Sequence, residues 1–161
     1  MAQSFRTDEE AEAVIEEYSL TVYRLALAQL QSKSDADDVF QEVFLRYIRK
    51  TPSFLSKEHE KAWFLRVTLN CCRNVWNSPF RKHTAELSEE LAAGEREESG
   101  LDEALCRLQK KDRALLHLFY YEDMTTAAIA KLLGRKESTV RMQLTRARRR
   151  LRELLQQEDA T

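Results

Sequence analysis

The sequence predicts an all-α protein with two small helical domains joined by an acidic linker. The chain of 161 residues contains only three glycines and two prolines, too few turn residues for an all-β sandwich or barrel. Apolar residues recur at helical spacing on both sides of a central acidic stretch. Eleven of the 14 aromatic residues lie at or before Phe80, so the two halves build separate cores. We therefore predict domains at 1–79 and 101–161, with the linker at 80–100.

The first domain is predicted to contain three helices. Thr7 begins a capping-box pattern that opens a helix running to about Ser32. Ser34 is predicted to cap the second helix, which ends at Lys50 because the following Thr-Pro pair disfavours helical backbone. The third helix is predicted over 57–77, where a Ser-Pro pair stops it.

Charge is distributed unevenly along the chain, although the formal net charge is only −1. Residues 79–105 carry a net charge of −5, with a dense acidic run at 86–98, whereas residues 106–161 carry 13 Lys or Arg against seven Asp or Glu. A basic end of this kind favours binding to a polyanion. The acidic run either masks that end or serves as an inert tether. The second domain is predicted to contain four helices, near 101–110, 112–121, 126–133 and 137–157.

Residues 125–149 have the pattern of a helix-turn-helix. Thr125 caps the first helix, Gly134 allows the positive φ of a tight turn, and Ala130 and Val140 are spaced to pack the two helices closely. The second helix is strongly basic, which favours DNA binding over the alternative of a solvated basic helix end. Its first turns are predicted to meet base edges and its later arginines to hold phosphates, the candidates being Lys136, Ser138, Thr139, Arg141, Met142, Thr145, Arg146 and Arg149.

The second and third helices of the first domain each allow two interpretations. The second is amphipathic, and its acidic face, which includes Asp38 and Glu42, is ordinarily just solvated. In the third, basic residues interleave with aromatic ones. This pattern suits single-stranded nucleic acid, because cations follow the backbone and flat rings stack on bases. Trp63 and Phe64 are nevertheless expected to belong to the core on composition alone.

The sequence gives little support for an enzyme, a metal site, a secreted protein or a membrane protein. No apolar run approaches the ~18 residues of a membrane span, and the N-terminus lacks the apolar region of a signal peptide. The cysteines are odd in number and lack C-x-x-C spacing, which favours a reducing cytoplasm and argues against disulfides and zinc. No cofactor is expected. No spacing supports a cysteine nucleophile with a histidine base among Cys71, Cys72, His59, His83 and His117.

Three segments together resemble the bacterial extracytoplasmic-function (ECF) sigma factors of RNA polymerase. Residues 37–46, Asp-Asp-Val-Phe-Gln-Glu-Val-Phe-Leu-Arg, resemble the segment that binds core polymerase. Residues 62–70, Ala-Trp-Phe-Leu-Arg-Val-Thr-Leu-Asn, resemble the promoter-melting segment. Residues 126–149 resemble the C-terminal helix-turn-helix of the family. The motifs occur in the family's order and cover nearly the whole chain.

The resemblance implies a promoter-specificity factor that is a binding protein and not an enzyme. Its partners are core RNA polymerase, contacted at the clamp helices and the flap, and promoter DNA in duplex and melted form. Such factors are commonly held by a cognate anti-sigma factor, and no membrane insertion is implied. The matching polymerase-binding positions are Asp38, Gln41, Glu42 and Leu45. The matching minus-ten positions are Lys50, Phe54, Leu65, Arg66, Val67, Asn70, Arg73 and Asn74, while the helix-turn-helix residues read the minus-thirty-five element.

The chain departs from the family pattern in two places. Cys71-Cys72 stands where small apolar residues are usual, and the loop 53–57 lacks a frequent glycine. The alternative function is a stand-alone helix-turn-helix regulator of duplex DNA, which predicts a dimer and palindromic half-sites. A sigma factor predicts a monomer that binds DNA tightly once polymerase joins. The acidic face of the second helix discriminates between the two, because it has no role in a stand-alone regulator.

Overall fold

The computed structural model describes residues 8–78 and 100–159. The chain divides into two compact units, Met1–Ser88 and Glu89–Thr161. Within the described ranges the secondary structure is helical and contains no strand, which confirms the all-α prediction. The predicted cap at Thr7 and the predicted linker up to residue 99 lie outside the described residues.

Residues 8–78 of the first unit form a packed group of three helices. Helix α1 spans Asp8–Leu30, α2 spans Lys33–Lys50 and α3 spans Lys57–Trp76. Each of the three packs against the other two. The bounds agree with the predicted helices to within two residues at the ends that are described.

The cap of α2 is Ser32, and the predicted cap at Ser34 is wrong. Gln31 has a left-handed backbone with φ 55°, which ends α1. The extended Ser32 that follows accepts a hydrogen bond from the Asp35 N–H at 3.2 Å through its side-chain oxygen. Ser34 lies one residue inside the helix and is exposed. The early change of backbone direction at residue 31 therefore sets the start of α2.

The core of the first unit is built around Phe64, which has no exposed surface. Its ring stacks on Tyr18 with centroids 4.5 Å apart and is tilted against Phe44 at 5.6 Å and Tyr47 at 5.4 Å. These partners come from α1 and α2, so one side chain of α3 ties all three helices together. Trp63 is half-buried and meets Phe64 edge-on at 4.9 Å, so the predicted core roles of both residues are confirmed.

The described part of the second unit, residues 100–159, contains four α-helices and a wider helical turn. Helix α4 spans Leu101–Arg107, α5 spans Lys110–Leu116, a π-helical turn covers His117–Tyr121, α6 spans Thr126–Leu133 and α7 spans Glu137–Asp159. The predicted helix at 101–110 is shorter than expected, because Leu108 and Gln109 adopt extended backbone. The buried Arg113 stabilises this break by donating to the carbonyls of Cys106 at 3.2 Å and Leu108 at 3.1 Å.

The helix-turn-helix is formed by α6 and α7 as predicted. The Thr125 hydroxyl accepts a hydrogen bond from the Ala128 N–H at 3.1 Å, and Gly134 has a φ of 67°. Ala130 and Val140 are buried where the two helices pack. Among the described helices, none is long and apolar enough to cross a membrane.

The turn predicts a specific response to substitution at Gly134. An added Cβ would have no atom within 4 Å, so the cost of Gly134→Ala comes from the left-handed backbone alone. We expect a loss of about 1–2 kcal/mol in the free energy of unfolding. Gly134→Asn should lose less, because asparagine tolerates this conformation. Urea unfolding followed by circular dichroism measures both, and an alanine variant as stable as wild type would contradict the turn geometry.

Candidate polymerase and nucleic-acid interfaces

The four predicted polymerase-binding residues lie on one side of α2. Asp38, Gln41, Glu42 and Leu45 follow each other at spacings of three, one and three residues, which places them on neighbouring turns. Asp38, Gln41 and Leu45 are exposed and Glu42 is half-buried. The opposite side of the helix carries Val39, Val43 and Tyr47, which are buried. The acidic side is therefore displayed on a helix that is fixed by its own core residues.

Glu42 has an intramolecular partner on the same helix. The Nε of Arg46 lies 3.0 Å from Glu42 Oε1, and both side chains remain partly exposed. An exposed pair of this kind contributes about 0–1 kcal/mol, so Glu42 can exchange its partner for an incoming cation at small cost. Beside the pair, a groove of about 340 Å³ has Asp38 and Asn74 among its walls and Cys71 in its lining. The groove connects the acidic side of α2 with α3.

The predicted minus-ten residues divide between the surface and the core. Arg66, Arg73 and Asn74 are exposed, Asn70 and Val67 are half-buried, and Lys50 is exposed at the end of α2. The amide oxygen of Asn70 accepts a hydrogen bond from Arg73, so these two polar groups act as a pair. Leu65 differs from the others because it has no exposed surface. Leu65 therefore lies in the core, unlike the other predicted minus-ten residues.

Phe54 lies in the loop that precedes α3. Its ring is half-buried and meets Trp63 edge-on, with centroids 5.9 Å apart. Trp63 in turn meets Tyr47 at 6.1 Å. The loop is therefore connected to the core of the first unit through a chain of aromatic contacts, which restricts where Phe54 can go.

Most of the predicted minus-thirty-five residues share the exposed side of α7. Ser138, Arg141, Met142, Thr145 and Arg149 recur at spacings of three, one, three and four residues, opposite the buried Val140, Leu144 and Ala147. Arg146 is exposed beside them, Lys136 is exposed in the turn before α7, and Thr139 is half-buried. Most of these side chains therefore share one exposed face of α7.

The start of α7 is fixed by contacts with the preceding helix. The Thr126 hydroxyl donates to Glu137 Oε1 at 2.9 Å, joining the first turns of α6 and α7. Arg135 donates to the Gln143 side chain at 2.8 Å. Arg141 lies 4.0 Å from Glu137, a distance long enough to leave its guanidinium available. These contacts orient the first turns of α7, where base recognition is predicted.

The surroundings of α7 contain contacts that sequence spacing did not indicate. Arg148 donates to the Tyr120 hydroxyl at 2.7 Å and its guanidinium lies 4.9 Å from the Phe119 ring centre, so it packs against the domain. Lys111 and Gln109 line a groove of about 360 Å³ together with Arg146, Arg149 and Arg150. Lys111 is far from α7 in sequence, and a pattern search along one helix could not have found it.

The two cysteines of α3 belong to the core of the first unit. Cys71 and Cys72 are buried. Burial raises the pKa of the Cys71 thiol, an effect that Arg46 opposes and Glu42 reinforces. Across residues 8–78 and 100–159 no cluster of His, Cys, Asp and Glu is suited to hold a metal ion. His83 lies outside the described residues.

Comparison with known proteins follows the same division of the chain. The family model for sigma-70 region 2 matches residues 14–79, and the model for sigma-70 region 4 matches residues 99–151. The ECF RNA polymerase sigma factor SigL of Mycobacterium tuberculosis is 32% identical over 163 residues, covering 92% of this chain and 90% of SigL.

This chain belongs to the ECF sigma factors. RNA polymerase sigma factor SigV of Bacillus subtilis is 26% identical over 150 residues, 90% of each chain. Among solved structures, CnrH in complex with the cytosolic domain of CnrY has a TM-score of 0.71 at 21% identity and covers 93% of this chain and 90% of that one. The sigma factor RpoE in complex with the anti-sigma factor NepR from Bartonella quintana has a TM-score of 0.64 at 22% identity, with coverage of 88% and 95%. These two structures share the fold.

Family membership decides between the two functions that the sequence left open. This ECF sigma factor recognises promoters for RNA polymerase, and core polymerase and promoter DNA are its partners. The sequence predicts a role for the acidic side of α2 in a sigma factor and none in a stand-alone regulator.

The burial of the thiols predicts an order of alkylation. Cys106 is exposed, whereas Cys71 and Cys72 are buried, and the thiolate is the reactive form. We expect iodoacetamide at neutral pH to modify Cys106 first and the other two at comparable rates only after unfolding in urea. Mass spectrometry of digested samples measures the three rates. Rapid modification of Cys71 in the folded protein would contradict its inert, buried position.

Proposed function

We propose that separate segments of this sigma factor bind the polymerase and the promoter elements. Residues 1–79 bind core polymerase and the minus-ten element, residues 80–100 form a linker, and residues 101–161 bind the minus-thirty-five element and the polymerase flap. The factor works by binding alone, in the cytoplasm, without catalysis or a cofactor. The exposed acidic side of α2 is the observation that carries the proposal, because that side is displayed away from the core that supports it.

The acidic side of α2 suits a basic surface on the polymerase clamp helices. Asp38 and Glu42 supply negative charge, Gln41 supplies an amide, and Leu45 is a large apolar side chain that is 43% exposed. A polar rim beside an apolar contact is common at protein interfaces. The weak Glu42–Arg46 pair leaves the carboxylate available to a stronger partner in a desolvated interface.

The α3 side suits the melted non-template strand. Arg66 and Arg73 are exposed cations for the phosphate backbone, and the Asn70 amide can hydrogen-bond a base edge. Phe54 supplies an aromatic ring near the start of the helix. A base must leave the duplex stack before these groups can reach it, at a cost of about a few kcal/mol.

The α7 side suits the upstream duplex. Its first turns present Ser138, Arg141 and Met142 at the exposed face, where a recognition helix meets the major groove. The arginines further along, Arg146 and Arg149, lie where they can neutralise phosphates. Electrostatic contacts of this kind strengthen binding to all sequences, while the first turns provide the discrimination.

A cognate anti-sigma factor is a further proposed partner. The two solved structures described above are complexes, one with the cytosolic domain of CnrY and one with the anti-sigma factor NepR. On this sigma factor the side chains Leu45 and Ile48 of α2 are large, apolar and exposed. An inhibitor that covers them would also cover the acidic side of α2 and so compete with polymerase.

The polymerase interface predicts a strong effect of charge reversal at Glu42. Glu42→Lys places a cation where a basic partner is expected, and we expect binding to core RNA polymerase to weaken by about 2–5 kcal/mol. A pull-down with titrated bacterial core polymerase measures the affinity. Because the Glu42 side chain is partly exposed and lies outside the core, circular dichroism should show an unchanged fold.

The matched control reverses a charge of the same kind on another helix. Glu16 of α1 is exposed, and Glu16→Lys should retain wild-type affinity. Equal weakening by both variants would indicate a general charge effect and would remove the assignment of the α2 side. Failure of the folded wild type to bind polymerase would contradict the proposed function itself.

The upstream interface predicts a loss of base preference in Arg141→Ala. We expect about 1–3 kcal/mol weaker binding to the preferred upstream sequence, with polymerase affinity retained. Holoenzyme selection on duplex DNA with a randomised minus-thirty-five region measures the preference. Arg152→Ala, at an exposed position further along the same helix, is the control and should leave base preference unchanged. A matching loss in both variants would argue against base reading by Arg141.

A further inference from the structure

The loop between α2 and α3 is held at both of its ends. At the first end, Thr51 has a left-handed backbone with φ 38° and its N–H donates to the Tyr47 carbonyl at 3.0 Å. This conformation is uncommon for a β-branched residue. At the other end, Ser56 caps α3, its hydroxyl accepting the His59 N–H at 3.1 Å. The loop 51–56 therefore has fixed points of entry and exit.

The first turn of α3 is itself anchored to α1. The Tyr18 hydroxyl donates to Glu60 Oε1 at 2.8 Å, and Lys57 Nζ lies 3.0 Å from Glu17 Oε2. Burial, followed by the neighbouring Glu60 carboxylate, raises the pKa of Tyr18, so its hydroxyl keeps the proton that it donates. These contacts fix the helical turn that carries His59.

His59 reaches back from this turn to the middle of the loop. Its Nδ1 accepts a hydrogen bond from the Leu55 N–H at 3.1 Å, which requires the neutral ring with its proton on Nε2. The same ring meets Phe54 edge-on, with centroids 5.5 Å apart. Phe54 also meets Trp63, one turn further along α3. His59 thus contacts the backbone of Leu55 and the side chain of the residue before it, Phe54.

His59 also lies at the start of the side of α3 that carries the proposed strand contacts. Positions 59, 63, 66, 70 and 73 are separated by four, three, four and three residues, so their side chains follow one line along the helix. Leu55, whose backbone His59 holds, is 96% exposed. The loop is therefore fixed beside the line of Arg66, Asn70 and Arg73, with an apolar side chain presented to solvent.

We propose that His59 is a positioning residue for recognition of the melted strand. It holds the loop in one conformation, in which Leu55 is a further contact to an unstacked base, whose flat face accepts apolar groups. This inference rests on the proposed function of α3. Without the Nδ1 acceptor the loop samples other conformations, and the fraction of molecules ready to select a base falls.

The hydrogen bond can be tested in the free protein. His59→Leu keeps a side chain of similar bulk but removes the hydrogen-bond acceptor. His59→Asn keeps an acceptor, because the asparagine Oδ1 is bonded to Cγ just as the histidine Nδ1 is. Amide hydrogen exchange of Leu55, measured by NMR, should be about two- to tenfold faster in His59→Leu and near the wild-type rate in His59→Asn. Equal exchange rates in wild type and His59→Leu would overturn the proposed contact.

The consequence for recognition is tested in the holoenzyme. Core RNA polymerase with each variant is offered promoter DNA containing an unpaired bubble, in which the non-template bases of the minus-ten region are randomised. Sequencing of retained DNA gives the enrichment of the preferred base. We expect His59→Leu and Leu55→Ser to reduce that enrichment by about two- to tenfold, and His59→Asn to restore most of it. Polymerase affinity should not change.

The outcomes separate this inference from the proposed function. A wild type that fails to bind polymerase overturns the proposed function, while the exchange rate of the Leu55 amide still decides whether His59 holds the loop. Unchanged base enrichment in His59→Leu overturns the positioning role. An equal loss in His59→Asn and His59→Leu overturns the assignment to the Nδ1 hydrogen bond, because a merely structural role gives no rescue by the acceptor.

Discussion

The packing of the three helices of the first unit depends on the buried side chain of Phe64. The Phe64 ring of α3 contacts Tyr18 of α1 and both Phe44 and Tyr47 of α2, with ring centroids no more than 5.6 Å apart. Because aromatic packing fixes both distance and tilt, it sets how α2 and α3 lie together. The acidic side of α2 and the basic side of α3 are both displayed by helices whose opposite sides meet in this core. Partner recognition in this unit therefore requires that the core be correctly packed.

In the second unit, a few residues fix the position of α7 on α6. A left-handed Gly134 and the buried Val140 place α7 across α6, and the contact between Thr126 and Glu137 fixes its first turn. The arginines of α7 then repel one another on an exposed face, which is tolerable because water and, on binding, phosphates screen them. Arg148 is the exception, since Tyr120 and Phe119 hold it against the domain.

Sequence periodicity predicted the helices well because each helix has an apolar stripe. The turn at Gly134 could be predicted because few residues other than glycine adopt a left-handed backbone. Sequence periodicity failed where short-range backbone geometry decides the outcome. Ser32 caps α2 in place of Ser34 because Gln31 turns left-handed, and the π-helical turn at His117–Tyr121 has no sequence pattern. The resemblance also grouped Leu65 with exposed and half-buried residues, although Leu65 itself has no exposed surface. The contact between His59 and Leu55 joins a single histidine to a backbone N–H, which no residue pattern encodes.

This chain gives RNA polymerase its choice of promoter. The most direct measurement is transcription in vitro by bacterial core polymerase on a library of random-sequence DNA, with and without the chain, followed by sequencing of the RNA 5′ ends. We predict start sites that appear only with the chain and share two sequence elements at a constant spacing upstream. Start sites indistinguishable from those of core polymerase alone would show that the chain does not direct promoter choice.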